Sequence, residues 1–217
     1  MKKSKRKTLL ISICSLAGFV LWTVAIRLID VRAIGPRESA VGFATLNGFV
    51  HNLTGVNFTL YTVTDWLGLI PIAVCVGFGL LGLIQWIKRN KLSRVDYSIL
   101  VLGGFYAVVA AVYVLFEFVV INYRPVLING ISEASYPSST TVLVMCVMPT
   151  AIMQFKNRIK NKKARSFVTA SIVVFIAFTV IGRLVSGVHW VTDIIGGALL
   201  SAGLVALYRF FSEKDFS

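Results

Sequence analysis

Residues 167–211 read FVTASIVVFIAFTVIGRLVSGVHWVTDIIGGALLSAGLVALYRFF. Two apolar runs, Phe167–Val185 and Val191–Phe211, follow each other with only a short turn between them. Each has about twenty residues, the length an α-helix needs to cross roughly 30 Å of hydrocarbon. Arg183, His189 and Asp193 lie at their junction. Ionisable side chains at membrane depth are costly, and their default reading is functional. This stretch therefore sets the fold class and marks where chemistry should be sought.

Working outward, four more apolar runs appear: Thr8–Leu28, Trp66–Ile87, Tyr97–Ile121 and Thr140–Phe155, the last being short enough to begin a few residues earlier. The expectation is an all-α integral membrane bundle of six transmembrane helices, a single domain over residues 1–217. Helices satisfy their own backbone polar groups in lipid, which open sheets do not. Composition agrees: 57% of residues are hydrophobic, 14% are charged and the mean hydropathy is +0.81. Soluble domains lie nearer half apolar and a quarter charged. Pro71, Gly103, Gly104 and Pro149 fall inside the runs and are compatible with membrane helices. The first run follows Met-Lys-Lys-Ser-Lys-Arg-Lys. It is long for a signal peptide and no small-x-small site closes it, so it reads as the first helix.

The net charge of +13 rests on 22 Lys and Arg against 9 Asp and Glu. Seventeen of those bases lie in the N-terminal head, the second-to-third connection, the fourth-to-fifth connection and the C-terminal tail. With six spans all four segments share one face, and the positive-inside rule makes that face cytoplasmic. Only Arg27, Arg32, Arg37, Arg124 and Arg183 belong to the other side. The charge thus describes topology. No basic stripe interleaved with aromatics suggests a nucleic-acid surface, so the expected partners are the bilayer and a lipid. The expected location is a plasma membrane, multi-pass, with both termini cytoplasmic, in a bacterium. The outer segment Asp30–Asp65 is too long for a turn and carries apolar and aromatic repeats, which predict one or two short interfacial helices. Cys14, Cys75 and Cys146 each lie within an apolar run, without disulfide or metal spacing, and read as packing residues.

Four distant segments converge on one layer at the outer ends of helices three to six. Arg124-Pro125 follows the third helix, Pro137-Ser138-Ser139-Thr140 opens the fourth, Arg183 nears the end of the fifth, and His189 and Asp193 start the sixth. His189 and Asp193 are spaced i, i+4, which predicts a shared helix face. An Asp there fixes the imidazole tautomer and leaves the other ring nitrogen as a nucleophile or base. Two arginines suit a tetrahedral oxyanion. Serines before a helix start suit a phosphate. Singly, these residues also fit plainer roles: snorkelling anchors, an aromatic-belt member, a first-turn acid, an N-cap. Together they read as phosphoryl transfer through a phosphohistidine.

The pattern resembles the phosphatidic acid phosphatase type 2 superfamily of membrane lipid phosphatases, which share a core with vanadium haloperoxidases. That family carries K-x6-R-P, then P-S-G-H, then S-R-x5-H-x3-D. Here Gly182-Arg183, His189 and Asp193 keep the third part, Arg124-Pro125 remains of the first, and Pro137-Ser138 of the second. The core motifs span residues 117–193. The resemblance implies that His189 takes the phosphoryl group, that Asp193 orients it, and that Arg124, Arg183 and Ser138 hold the phosphate, with no metal or cofactor; Ser139 is a further phosphate-binding candidate by its place at the helix start alone. The departures are Glu117 for the first lysine, Ser139 for the glycine, Thr140 for the second histidine, and Gly182 for the third-motif serine. In the family that second histidine protonates the leaving alkoxide, and losing such an acid costs about 10²–10⁴-fold. Two readings stay open. One is a phosphatase for lipid phosphate or polyprenyl diphosphate, whose leaving phosphate needs little protonation, with Glu117 as an altered acid or a partner for Arg124 or Arg183. The other is an impaired member that binds lipid phosphate headgroups for transport, sensing or a partner subunit.

Overall fold

The computed structural model describes residues 3–212. Lys2 and Lys214, counted above among the basic residues, lie outside the described residues. The chain runs α1 (Lys3–Leu28), β1 (Arg32–Ala33), β2 (Ala40–Val41), α2 (Ala44–Thr54), α3 (Phe58–Leu67), α4 (Leu69–Arg89), α5 (Tyr97–Phe118), α6 (Ser139–Arg158), α7 (Lys162–Val185) and α8 (Val191–Ser212). Among the described residues, six helices are long and apolar enough to cross a membrane.

The bundle is sorted by polarity. α6 and α8 form its centre and are the most buried of the six spans, whereas α1, α4, α5 and α7 expose Leu, Ile, Val and Phe around the outside. The small strands pair antiparallel, Arg32 against Val41, and lead into α2. Where the sequence predicts one or two short helices in the first long loop, two form, α2 and α3. α3, however, runs on into α4 through Gly68, whose backbone is helical, so Phe58–Arg89 forms one long span. Asn57 caps α3 by accepting from Leu60 N at 2.9 Å.

Close helix approach rests on small residues, as membrane packing demands where hydrocarbon supplies no hydrophobic drive. A Cβ at Gly196 of α8 would meet the Tyr136 ring at 2.3 Å. Tyr136 therefore lies flat on α8, stacked on Phe19 and hydrogen-bonded to Thr23 Oγ1 at 2.7 Å. Ser12 Oγ donates to Gly203 O across the α1–α8 seam at 2.9 Å.

The Arg124 segment departs from the sequence-based expectation. α5 ends at Phe118, so Glu117 and Arg124 do not share a helix face. Residues 119–138 instead form a folded loop. Tyr123 bridges Ala134, Arg124 N donates to Glu133 O at 3.1 Å, and Ser135 N donates to Asn122 O at 3.0 Å. The loop is fastened to the start of α8: Trp190 Nε1 donates to Tyr123 O at 2.8 Å and Ser138 N to Asp193 O at 3.2 Å.

Candidate active site

The α7–α8 connection makes the site. Ser186 closes α7, and its hydroxyl donates to Arg183 O at 2.8 Å. Gly187 then takes φ +67°, and a Cβ there would stand 1.7 Å from Gly55 O. Only glycine fits both the left-handed backbone and the contact. The turn reverses the chain and returns His189 beneath the end of α7. His189 precedes α8, which begins at Val191, so His189 and Asp193 do not share a helix face as the i, i+4 spacing predicts.

Arg124 Nη1 lies 3.2 Å from His189 Nε2, and Arg183 Nη2 lies 3.1 Å from the same atom. A guanidinium only donates, so Nε2 must accept. The imidazole is therefore neutral, with its proton on Nδ1. Its pKa lies well below the ordinary histidine range, first through burial and then through the charges of Arg124 and Arg183.

On the other ring face the expected His–Asp contact is indirect. His189 Nδ1 is 3.6 Å from Asp193 Oδ2. Ser135 stands between them, its Oγ 3.1 Å from Nδ1 and donating to Asp193 Oδ2 at 2.5 Å. Nδ1–H thus donates to Ser135, which donates to Asp193. Asn122 Nδ2 at 3.1 Å and Trp190 N at 2.9 Å complete the carboxylate's partners. A buried carboxylate needs such donors to remain charged.

The arginines are held from three sides. Tyr61 of α3 presents its ring to both, with centroids 4.8 Å from Arg183 Cζ and 5.7 Å from Arg124 Cζ. Asp65 Oδ1 lies 3.4 Å from Arg183 Nη1. Glu133 Oε2 lies 3.1 Å from Arg124 Nε, within ion-pair range but without hydrogen-bond alignment. The buried Nε atoms of both arginines have no hydrogen-bond partner among the described residues. Glu117 pairs with neither arginine among the described ion pairs: Glu133 and Asp65 take those places. Its neighbour is Tyr113, one turn back on α5.

Ser138 is buried at the α6 N-terminus and accepts from Thr141 Oγ1 at 3.0 Å, while Ser139 and Thr140 face a cavity. That cavity, of about 520 Å³, lies between α4, α5 and α6. Leu69, Ile72, Val109, Phe116, Leu143 and Val147 wall it, and Asp65, Glu117, Ser135, Ser139 and Thr140 form its polar part.

The structure thus brings together Arg124, Arg183, His189 and Asp193, joins Ser138 to them through Asp193 O, and sets Ser139, Thr140 and Glu117 on the wall of the neighbouring cavity that Ser135 also lines. Sequence reasoning missed Ser135, Asn122, Tyr61 and Asp65. Ser135 sits two residues before Pro137 in a polar run with no distinguishing spacing. Asp65 reads in sequence as the solvated end of a loop.

The PAP2 superfamily matches residues 104–216, just over half of the chain, and the chain belongs to that superfamily. No curated protein matches it. A solved structure, described as the first transmembrane PAP2 type phosphatidylglycerolphosphate phosphatase from Bacillus subtilis, is similar, with a TM-score of 0.62 and 20% sequence identity. That likeness covers 95% of this chain and 99% of the other, and it establishes the shared fold.

Proposed function

We propose that the protein is a membrane phosphatase for lipid phosphates or polyprenyl diphosphates, working through a phosphohistidine on His189. The observation that carries this is the convergence of two buried guanidiniums on one unprotonated imidazole nitrogen. Two fixed cations flanking a lone pair stabilise an oxyanion where that lone pair attacks. The phosphorus would be attacked by Nε2 as its oxygens meet Arg124 and Arg183, while Nδ1–H, Ser135 and Asp193 stabilise the positive charge developing on the ring. The apolar cavity beside Ser139 and Thr140 suits a hydrocarbon chain, so the substrate is a lipid. Thr140 offers no useful proton near neutral pH. A diphosphate, which expels a phosphate monoester, fits this site better than an alkyl monophosphate.

The distribution of basic connections supports a site on the outer face of a plasma membrane with both termini inside, by the positive-inside rule. The test is phosphate release from polyprenyl diphosphate and phosphatidate by purified protein. Wild type should release phosphate, faster from the diphosphate, and His189→Ala should not. Equal slow release by both refutes the enzyme reading. Binding of lipid phosphate without turnover, lost in Arg183→Ala, supports the headgroup-binding alternative. A large gain from Thr140→His with Glu117→Lys would mark the native site as impaired.

A further inference from the structure

Hydrolysis of a phosphohistidine needs a second proton transfer, because water attacks phosphorus well only as it loses a proton. The groups near His189 differ in their capacity to accept it. Asp193 is fully buried and its oxygens are taken by Asn122, Ser135 and Trp190. Glu133 lies on the flank of Arg124 and does not line the cavity. Glu117 lines the cavity but stands at the exposed end of α5 beside Tyr113. Asp65 alone combines the cavity wall with a direct contact to a residue that touches His189: Arg183 reaches Nε2 through Nη2 and Asp65 Oδ1 through Nη1. One guanidinium therefore spans the nucleophile and this carboxylate.

Two of the motif departures explain how Asp65 arrives there. A Cβ at Gly182 would meet Thr64 Cγ2 at 2.7 Å, so Thr64 of α3 comes this close to α7 because residue 182 lacks a side chain. A Cβ at Gly68 would stand 3.7 Å from Thr140 Cγ2, so the end of α3 also lies against residue 140. Gly182 and Thr140 are the small residues over which α3 settles, and Asp65 is carried on that segment.

We propose that Asp65 is the general base of the dephosphorylation step, a role that rests on the phosphohistidine reading above. Water's oxygen forms the new bond to phosphorus as the P–Nε2 bond breaks and its electron pair returns to Nε2. The water proton passes to the Asp65 carboxylate, whose side chain is 57% exposed at the bundle surface, and is released from there. Hydrogen phosphate leaves, and the imidazole returns to its neutral form with the proton on Nδ1.

The experiment is a rapid-quench time course with radiolabelled polyprenyl diphosphate on full-length wild type, Asp65→Asn, Asp65→Glu, Glu117→Gln and His189→Ala. Asparagine keeps an acceptor for Arg183 but cannot take the proton. Asp65→Asn should release one equivalent of lipid monophosphate per site in a burst, then stall. Its acid-labile, base-stable phosphoenzyme should accumulate, with steady-state turnover about 10²–10³-fold below wild type. Asp65→Glu should recover part of that turnover. A purely structural role for Asp65 would lower burst and turnover together. The assignment is overturned if Asp65→Asn keeps the wild-type phosphoenzyme level, if the Asn and Glu variants both lose the burst, or if Glu117→Gln accumulates phosphoenzyme instead. If wild type forms no phosphoenzyme and His189→Ala matches it, the phosphohistidine reading itself fails.

Discussion

At the basic end of the bundle a carboxylate sits among donors; at the other end a neutral imidazole does. Asp96 accepts from Gln85 Nε2 and Arg89 Nη1, both at 2.9 Å, and Arg158 Nη2 stands 3.8 Å away. The Asp96 and Arg89 side chains are each 42% exposed. One carboxylate there faces two guanidiniums and water screens the remaining charge, so the cluster ties α4, α5 and α6 together and asks for no ligand. At the opposite end Arg183 is 1% exposed, and its guanidinium and that of Arg124 meet at a nitrogen carrying no charge. Asp65 and Glu133 flank these cations without entering the space between them and His189. The two ends share residue types, so composition does not separate a staple from a site. What separates them is that at the site the cations, besides their flanking carboxylates, converge on a lone pair.

The comparison breaks most sharply at Arg183. Arg183→Ala should lower kcat/KM by about 10²–10³-fold, the scale of removing one oxyanion donor. Arg183→Lys should restore only part of that, because lysine lacks the planar fork. The same change should move the acid limb of the pH profile. In the proposed reaction the reactive form is the neutral imidazole, and burial with Arg124 and Arg183 holds the His189 pKa well below its ordinary range. Wild type should therefore stay active as pH falls through about 6.5, the free histidine value. Arg183→Ala removes one opposing charge, so its half-activity point should rise. An unmoved limb would separate the arginine from the histidine.

Ser135 sharpens the comparison at the other ring nitrogen. Ser135→Ala leaves His189 Nδ1 3.6 Å from its carboxylate and removes one donor from buried Asp193. A buried polar group left without its partner costs about 1–3 kcal/mol, so kcat/KM should fall about 10–10²-fold in steady-state assays. Ser135→Thr should retain most of the activity. At the basic end Asp96→Asn should change activity less than about twofold, and destabilise by about 1 kcal/mol or less in thermal unfolding, as for exposed pairs. The Asp96 carboxyl is held below its ordinary range, first by Arg89 and then by Gln85. Its contribution is thus present above pH about 4 and is lost as pH falls through the depressed value.

The six spans were legible because hydrocarbon imposes length and apolarity on every residue of a run. The third motif was legible because its residues lie close in the chain. What local spacing misjudged is instructive. The i, i+4 relation of His189 and Asp193 suggested direct contact on one helix, but α8 starts at Val191, and the gap is bridged by Ser135 from a loop 54 residues away. The seven-residue spacing of Glu117 and Arg124 assumed a continuous helix, but α5 stops at Phe118. The partnership of Asp65 with Arg183 depends on Gly182 admitting Thr64 against α7, a contact between helices that no single stretch of sequence displays.

The central claim, that the arginine pair turns His189 Nε2 into a phosphoryl acceptor, is tested most directly by pulse-labelling purified protein with lipid diphosphate carrying labelled terminal phosphate and mapping the trapped phosphopeptide. The account predicts acid-labile, base-stable label on His189, absent from His189→Ala and strongly reduced in Arg183→Ala. Turnover by wild type with no label on His189, or equal turnover by His189→Ala, would contradict it.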